Sequence, residues 1–239
     1  MSAGTKPGYV YAARCYLFLN KMNNLQNHTF INNEQKGSGD MIKVDIISGF
    51  LGAGKTTLIQ KLLDEKLREE KVVLIENEYG EVGIDGGFLK DAGIEIRELN
   101  SGCICCTLVG DFSRSLNEVI QTYAPERIII EPSGVGKLSD VMKSVTPMEE
   151  THGVKLNGLV DVINAKKAIK QMRAFGEFFN DQIANAAVII LSRTQDLKQE
   201  ELEKVVSMIR EINEKAAVIT TPWNQLTAEQ ILKAIEGNL

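Results

Sequence analysis

No apolar run in the 239-residue chain reaches the roughly 18 residues a membrane span requires. The nearest candidate, Tyr9 to Leu19, is short, is interrupted by Arg14 and is followed by no small-residue cleavage site, so it reads as neither signal peptide nor anchor. Positive charge is also scarce. The chain carries a net charge of -5, and because residues 1–40 are about +2, the remainder is about -7. An acidic body excludes a large nucleic-acid-binding surface. Disulfide spacing is missing too: of four cysteines, Cys103, Cys105 and Cys106 are clustered and Cys15 stands alone, apparently incidental. A secreted framework spreads its cysteines along the chain, whereas this clustering suits a reduced, cytoplasmic protein with a thiolate site.

With 44% hydrophobic residues the chain can build one well-packed core but hardly two. Residues 1–40 differ from the rest, being rich in Asn, Gln, Gly and Ser from Asn20 to Gly39 without a sustained period. They read as a disordered N-terminal extension, the alternative being an ordered arm that packs on the body or a partner. From Met41 onward strand and helix patterns alternate. Strands are expected at residues 44–47, 72–75, 94–99, 127–130, 158–162, 187–191 and 216–220, and helices at 55–70, 111–122, 165–173, 199–214 and 227–236. That order implies an α/β fold of the P-loop NTPase kind, a mostly parallel sheet with helices on both faces. The expected organisation is one nucleotide-binding domain over residues 41–239 with no additional C-terminal domain.

The most informative segment is Ser48-Gly49-Phe50-Leu51-Gly52-Ala53-Gly54-Lys55-Thr56-Thr57, which follows a strand, opens a helix and fits G-x-x-x-x-G-K-[ST] in full. Gly49, Gly52 and Gly54 allow a tight fold in which backbone N–H groups, those of Ala53 and Thr57 included, face phosphate oxygens. The positive end of the following helix adds to this. Lys55 would bridge the β- and γ-phosphates, and the Thr56 hydroxyl would ligate Mg²⁺. A second acidic element supports the reading. The strand Ile128-Ile129-Ile130 ends in Glu131, placed to hold the Mg²⁺ shell through water, and Gly134 could offer its N–H to the γ-phosphate.

Gly102-Cys103-Ile104-Cys105-Cys106 puts Cys103 and Cys105 on one face of an extended segment, and a turn would let Cys106 join them. Three soft thiolates favour Zn²⁺, Cu(I) or another thiophilic ion, and the open fourth position suits transfer better than permanent structural binding. Two other readings stand beside it: cysteine as small core hydrophobe, and a Cys103–Cys105 redox pair. Between the motifs lies the acidic run Glu76 to Asp85. In it Asp85 or Glu78 could position water or Mg²⁺, and Glu78 could lend an oxygen to the thiolates. A solvated acidic loop is the plainer alternative.

Together these stretches resemble the CobW-like family of P-loop GTPases, kin to the urease and hydrogenase nickel-insertion GTPases. The resemblance runs from residue 41 to about 135 and is carried by the phosphate loop, Asn77-Glu78-Tyr79-Gly80-Glu81-Val82-Gly83-Ile84-Asp85, Glu98 to Cys106, and Glu131-Pro132-Ser133-Gly134. It implies a slow GTPase whose GTP and GDP states differ in metal affinity or partner binding. It implies delivery of zinc, cobalt or another metal to a client metalloprotein or cofactor enzyme, with Cys103, Cys105 and Cys106 holding the metal and Glu131 replacing the commoner aspartate. A homodimer with nucleotide or metal at its interface is a further option. Two departures stand out. Where the family reads guanine with Asn-Lys-x-Asp, this chain has Ser192-Arg193-Thr194-Gln195. Arg193 could stack on the base, but Gln195 offers one carbonyl and an unhelpful NH₂ where a carboxylate would accept two donors. Asp196 would serve only in a shifted register, so GTP and ATP both remain open. The family's histidine-rich stretch is absent, and His28 and His152 are isolated. The leading functional expectation is an NTP-hydrolysing metallochaperone working through Lys55, Glu131 and Asp85. The alternatives are an ATP-dependent small-molecule kinase and a nucleotide-binding metal sensor without turnover.

Overall fold

The structure, a computed structural model, describes residues 13–18, 41–76, 95–99 and 109–237, with the backbone alone for 13–18, 95–99, 109–112 and 115. Eight strands form one sheet: β1 (Ala13–Phe18), β2 (Ile42–Gly49), β3 (Val72–Glu76), β4 (Glu95–Leu99), β5 (Arg127–Glu131), β6 (Val154–Asn164), β7 (Val188–Ser192) and β8 (Ala217–Ile219). Their order is β4-β1-β3-β5-β2-β6-β7-β8. The six strands from β3 to β8 pair in parallel, while β1 pairs antiparallel to both β3 and β4. The expected mostly parallel sheet is therefore present. Within the segment read as a disordered extension, Ala13–Phe18 instead forms a strand inside the sheet. Its run Arg14-Cys15-Tyr16-Leu17-Phe18 is rich in strand-favouring residues, a short signal outweighed by the polar stretch from Asn20 to Gly39 that follows it. Residues 1–12 and 19–40 lie outside the described residues.

Among the described residues six α-helices cover the sheet: α1 (Lys55–Glu65), α2 (Val109–Tyr123), α3 (Leu138–Glu149), α4 (Ala168–Asn185), α5 (Gln199–Ile212) and α6 (Ala228–Glu236). Their buried residues divide into two apolar layers. Leu116, Val141, Val145, Phe179, Ile183, Val205 and Ile209 pack on one face with Val44 and Ile46. Leu58, Leu62, Ile231, Leu232 and Ile235 pack on the other with Ile47, Val160 and Val162. Four helices thus lie on the first face and two, α1 and α6, on the second, as period-2 alternation along doubly covered strands requires. No helix among the described residues is long and apolar enough to cross a membrane.

Two helices depart from the sequence expectation. The pattern did not mark α3, although Leu138, Val141, Val145 and Met148 have helical spacing and are buried, because Pro147 lies inside it. Proline in the last turn loses one backbone hydrogen bond yet leaves the earlier turns intact. Helix α4 continues beyond the expected end at Arg173 to Asn185, with a break in helical geometry at Phe175 (φ -135°, ψ 34°). Sequence periodicity ended where the axis kinks.

The end of the sheet opposite the phosphate loop is fastened by a buried cation. Arg127, at the start of β5, is 1% exposed and donates to Asp45 of β2. It also donates to Glu70 and Glu236, each at 2.7 Å. Asn157 adds a 2.7 Å hydrogen bond to Asp45. Burial raises the Asp45 carboxyl above its ordinary range, with Arg127 and Asn157 pulling against it. Because Glu236 belongs to α6, the cluster ties the last helix to the sheet.

Candidate nucleotide-binding site

The parallel register brings β2, β5 and β6 to a common edge, where β2 runs into the phosphate loop. Gly49 has φ +143°, and a Cβ there would stand 2.4 Å from the Val162 carbonyl oxygen, so the loop leaves β2 pressed against β6. Gly54, in the left-handed region at φ 105°, turns the chain into α1. Left-handed geometry costs an L side chain energy that glycine avoids. The backbone of this loop closes with Ala53 N–H donating to the Phe50 carbonyl at 3.0 Å.

Three candidate side chains converge at the start of α1. Lys55 is 8% exposed; its Nζ donates to the Gly49 carbonyl at 2.9 Å and lies 3.7 Å from Glu131 Oε1. Thr56 Oγ1 approaches the two Glu131 oxygens at 3.4 and 3.5 Å. Glu131 reaches this point because β5 ends beside β2, so residues 75 positions apart meet. A hydroxyl and a carboxylate facing one another next to a helix N-terminus are hard oxygen donors of the kind Mg²⁺ prefers, so these residues fit that ion. Thr57 is exposed on the first turn of α1.

The loop after β5 packs against the phosphate loop. A Cβ on Gly134 would lie 2.8 Å from the Leu51 backbone nitrogen. Gln182 of α4 donates to the Gly136 carbonyl at 2.8 Å and to that of Gly134 at 3.3 Å, holding this loop from below. The Phe50 ring lies 4.7 Å from that of Phe175, at the α4 kink. Neither Gln182 nor Phe175 stands out in the sequence; each matters through contacts distant along the chain, 46 and 48 residues for Gln182 and 125 for Phe175, which no local pattern encodes.

At the end of β7 the departures from the guanine-reading pattern have a structural counterpart. Ser192 is buried, and its Oγ donates to the Ala53 carbonyl at 2.6 Å, tying β7 to the phosphate loop. Arg193 is exposed and takes left-handed geometry (φ 60°). Gln195 is exposed, and Asp196 is engaged by Lys166 at 3.3 Å. Trp223, after β8, donates from Nε1 to the Leu191 carbonyl at 3.1 Å and flanks Gly54.

Cys103, Cys105, Cys106, Glu78 and Asp85 lie outside the described residues. Among the described residues, no three His, Cys, Asp or Glu side chains converge as metal ligands would. His152 pairs with its neighbour Thr151 at 2.6 Å.

Comparison with known proteins follows the same lines. Residues 43–220 match the family model described as CobW/HypB/UreG, nucleotide-binding domain. The zinc chaperone YeiR of Escherichia coli is 34% identical over 154 residues, covering 64% of this chain and 47% of that protein. The zinc chaperone YjiA of E. coli is 31% identical over 185 residues, covering 75% and 57%. The zinc-regulated GTPase metalloprotein activator 1 of Schizosaccharomyces pombe is 29% identical over 217 residues, covering 84% and 51%. The crystal structure of the Zn(II)-bound YjiA GTPase superposes with a TM-score of 0.55 at 23% identity over 75% of this chain and 57% of that one, a likeness of fold. The chain spans about half the length of the curated relatives it matches. With the family model covering residues 43–220, most of the chain and the phosphate loop just described included, the protein belongs to the CobW/HypB/UreG family through its nucleotide-binding domain.

Proposed function

We propose that this chain hydrolyses a nucleoside triphosphate, GTP in the first place, to govern the capture and release of a zinc ion destined for a client metalloprotein. The observation that carries the proposal is the convergence of Lys55, Thr56 and Glu131 at the mouth of the glycine-rich loop. Lys55 swings from the Gly49 carbonyl to the β- and γ-phosphates, exchanging a neutral acceptor for anionic ones. The backbone of residues 49–57 and the N-terminus of α1 hold the remaining phosphate oxygens. Thr56 directly, and Glu131 through water, would hold Mg²⁺, which would supply positive charge against the phosphate oxygens. Gly134 donates its N–H to the γ-phosphate, and Asp85 orients the attacking water. The zinc cargo binds Cys103, Cys105 and Cys106, with Glu78 as a further oxygen donor.

The names of the relatives favour zinc and GTP. The β7 loop favours a weaker reading of guanine, because Asp196 is drawn to Lys166 and Gln195 offers no carboxylate, so ATP competes. Release of inorganic phosphate from GTP and from ATP, followed with and without Zn²⁺, Co²⁺ and Ni²⁺, tests the proposal. Slow GTP hydrolysis that changes when Zn²⁺ is added is the expected result. Binding without turnover under every metal condition contradicts hydrolysis, and phosphate retained on an added metabolite instead identifies a kinase.

A further inference from the structure

One buried carboxylate near the loop has no part in the chemistry above. Asp161 lies in the middle of β6, flanked by Val160 and Val162, and is 1% exposed. Neither of its oxygens has a hydrogen-bond partner among the described residues. Its register partner on β2 is Ser48, the residue that opens the phosphate loop, fully buried and with an equally unpartnered Oγ. Ser48 shares its face of β2 with Val44 and Ile46, and Asp161 shares its face of β6 with Leu159 and Ile163, so both belong to the α3–α4 side of the sheet. Neighbouring strands are about 4.8 Å apart, within reach of a serine–carboxyl hydrogen bond after a side-chain rotation. An ionised carboxylate left so would bear the full cost of burial, and a protonated one, donating to the serine, would not.

We propose that Asp161 is a positioning residue of the phosphate loop that binds a proton, donated to the Ser48 hydroxyl, when phosphates enter the loop, so that nucleotide binding takes up a proton. The proposal rests on the reading of this loop as the nucleotide site. Its sign follows from Lys55, whose ammonium favours the ionised form of Asp161 and which itself lies 3.7 Å from the Glu131 carboxylate. Of the four helices on this face, α3 and α4 pack on β2 and β6, and the polar residues they bury are the uncharged Ser144 and Gln182. Burial pushes the Asp161 carboxyl up to about 7, with the Lys55 ammonium opposing that rise. Phosphates that engage Lys55 screen its charge and bring negative charge of their own, so the carboxyl rises further. At a pH above about 7, a proton from solvent then settles on one Asp161 oxygen as nucleotide binds. Below that range the proton is already present and binding is independent of pH. From there upward affinity declines with pH, by up to about tenfold per unit for one linked proton, until the raised value of the bound form is passed.

The test is calorimetric titration of the full chain with a non-hydrolysable GTP analogue and Mg²⁺ at pH 8, in two buffers of different ionisation enthalpy. The wild type is expected to take up a substantial fraction of a proton more than Asp161→Asn, and its affinity is expected to fall between pH 7 and 8.5 more steeply than that of the variant. Titration of the analogue and of every other protein group cancels in the comparison. Equal proton counts in the two proteins overturn the proposal while leaving the nucleotide site in place. Absence of binding at every pH overturns both. Should the asparagine variant not fold, difference infrared spectra of the wild type decide: a protonated-carboxyl band gained on nucleotide binding supports the proposal, and no such band overturns it.

Discussion

Lys55→Ala is expected to lower nucleoside triphosphate affinity at least a hundredfold while the protein stays folded. The ammonium of Lys55 is nearly buried at the rim of the loop, where few water molecules screen it. Removing one partner from a desolvated charge contact costs about 2–5 kcal/mol, and the upper half of that range exceeds two orders of magnitude in Kd. The effect on folding is smaller. The truncation deprives the Gly49 carbonyl of one donor and Glu131 of a cation 3.7 Å away, but it also spares the cost of burying the ammonium. Titration of a fluorescent GTP analogue, beside a thermal melt, reads both quantities. Unchanged affinity would refute the assignment of the loop.

The second large effect lies at the other end of the sheet. Arg127→Met is expected to destabilise the protein by about 3–5 kcal/mol, the usual range for breaking a buried ion pair by removing one side. Asp45 decides the magnitude. Glu70 and Glu236 are each 36% exposed, so water replaces much of what they lose, whereas the Asp45 side chain is only 4% exposed. Part of the cost is relieved by protonation, because without the guanidinium the carboxyl that burial already raises goes higher still. Adding Asp45→Asn to Arg127→Met should therefore recover stability, since the amide carries no charge to bury. Urea unfolding of the two variants and the wild type measures the difference. Additive losses in the double variant would show that Asp45 is not the group left stranded. Nucleotide affinity of the folded Arg127→Met protein is expected to match the wild type, because the cluster sits at the strand ends away from the loop.

The phosphate loop was fully legible in the sequence because its function demands a contiguous motif: Gly49 to Thr57 adopt the strand–loop–helix arrangement that their spacing implied. The place of Glu131, a charged residue ending an apolar strand, was legible too, and the structure brings it beside Thr56. The elements that escaped are those where two rules compete. Pro147 masked α3, the break at Phe175 masked the second half of α4, and the long polar stretch from Asn20 to Gly39 outweighed the short run that forms β1. Asp161 carried a usable signal, an acid within a run of buried β-branched residues, that went unread because nothing nearby in sequence completes a motif. Its partner Ser48 lies more than a hundred residues earlier and meets it only through sheet register. The Ser192 tie to Ala53 is of the same kind.

On the proposed function, nucleotide state and metal affinity are coupled. The most direct measurement is a Zn²⁺ titration, under anaerobic conditions with Mg²⁺ present, of the protein loaded with a non-hydrolysable GTP analogue and of the protein loaded with GDP. Coupling through the segments that join the phosphate loop to Cys103, Cys105 and Cys106 predicts Kd values that differ at least fivefold, the lower bound of a typical coupling free energy. It also predicts that serine at the three cysteine positions abolishes the difference. Equal Kd values in the two states, unaltered by the serine substitutions, would contradict it.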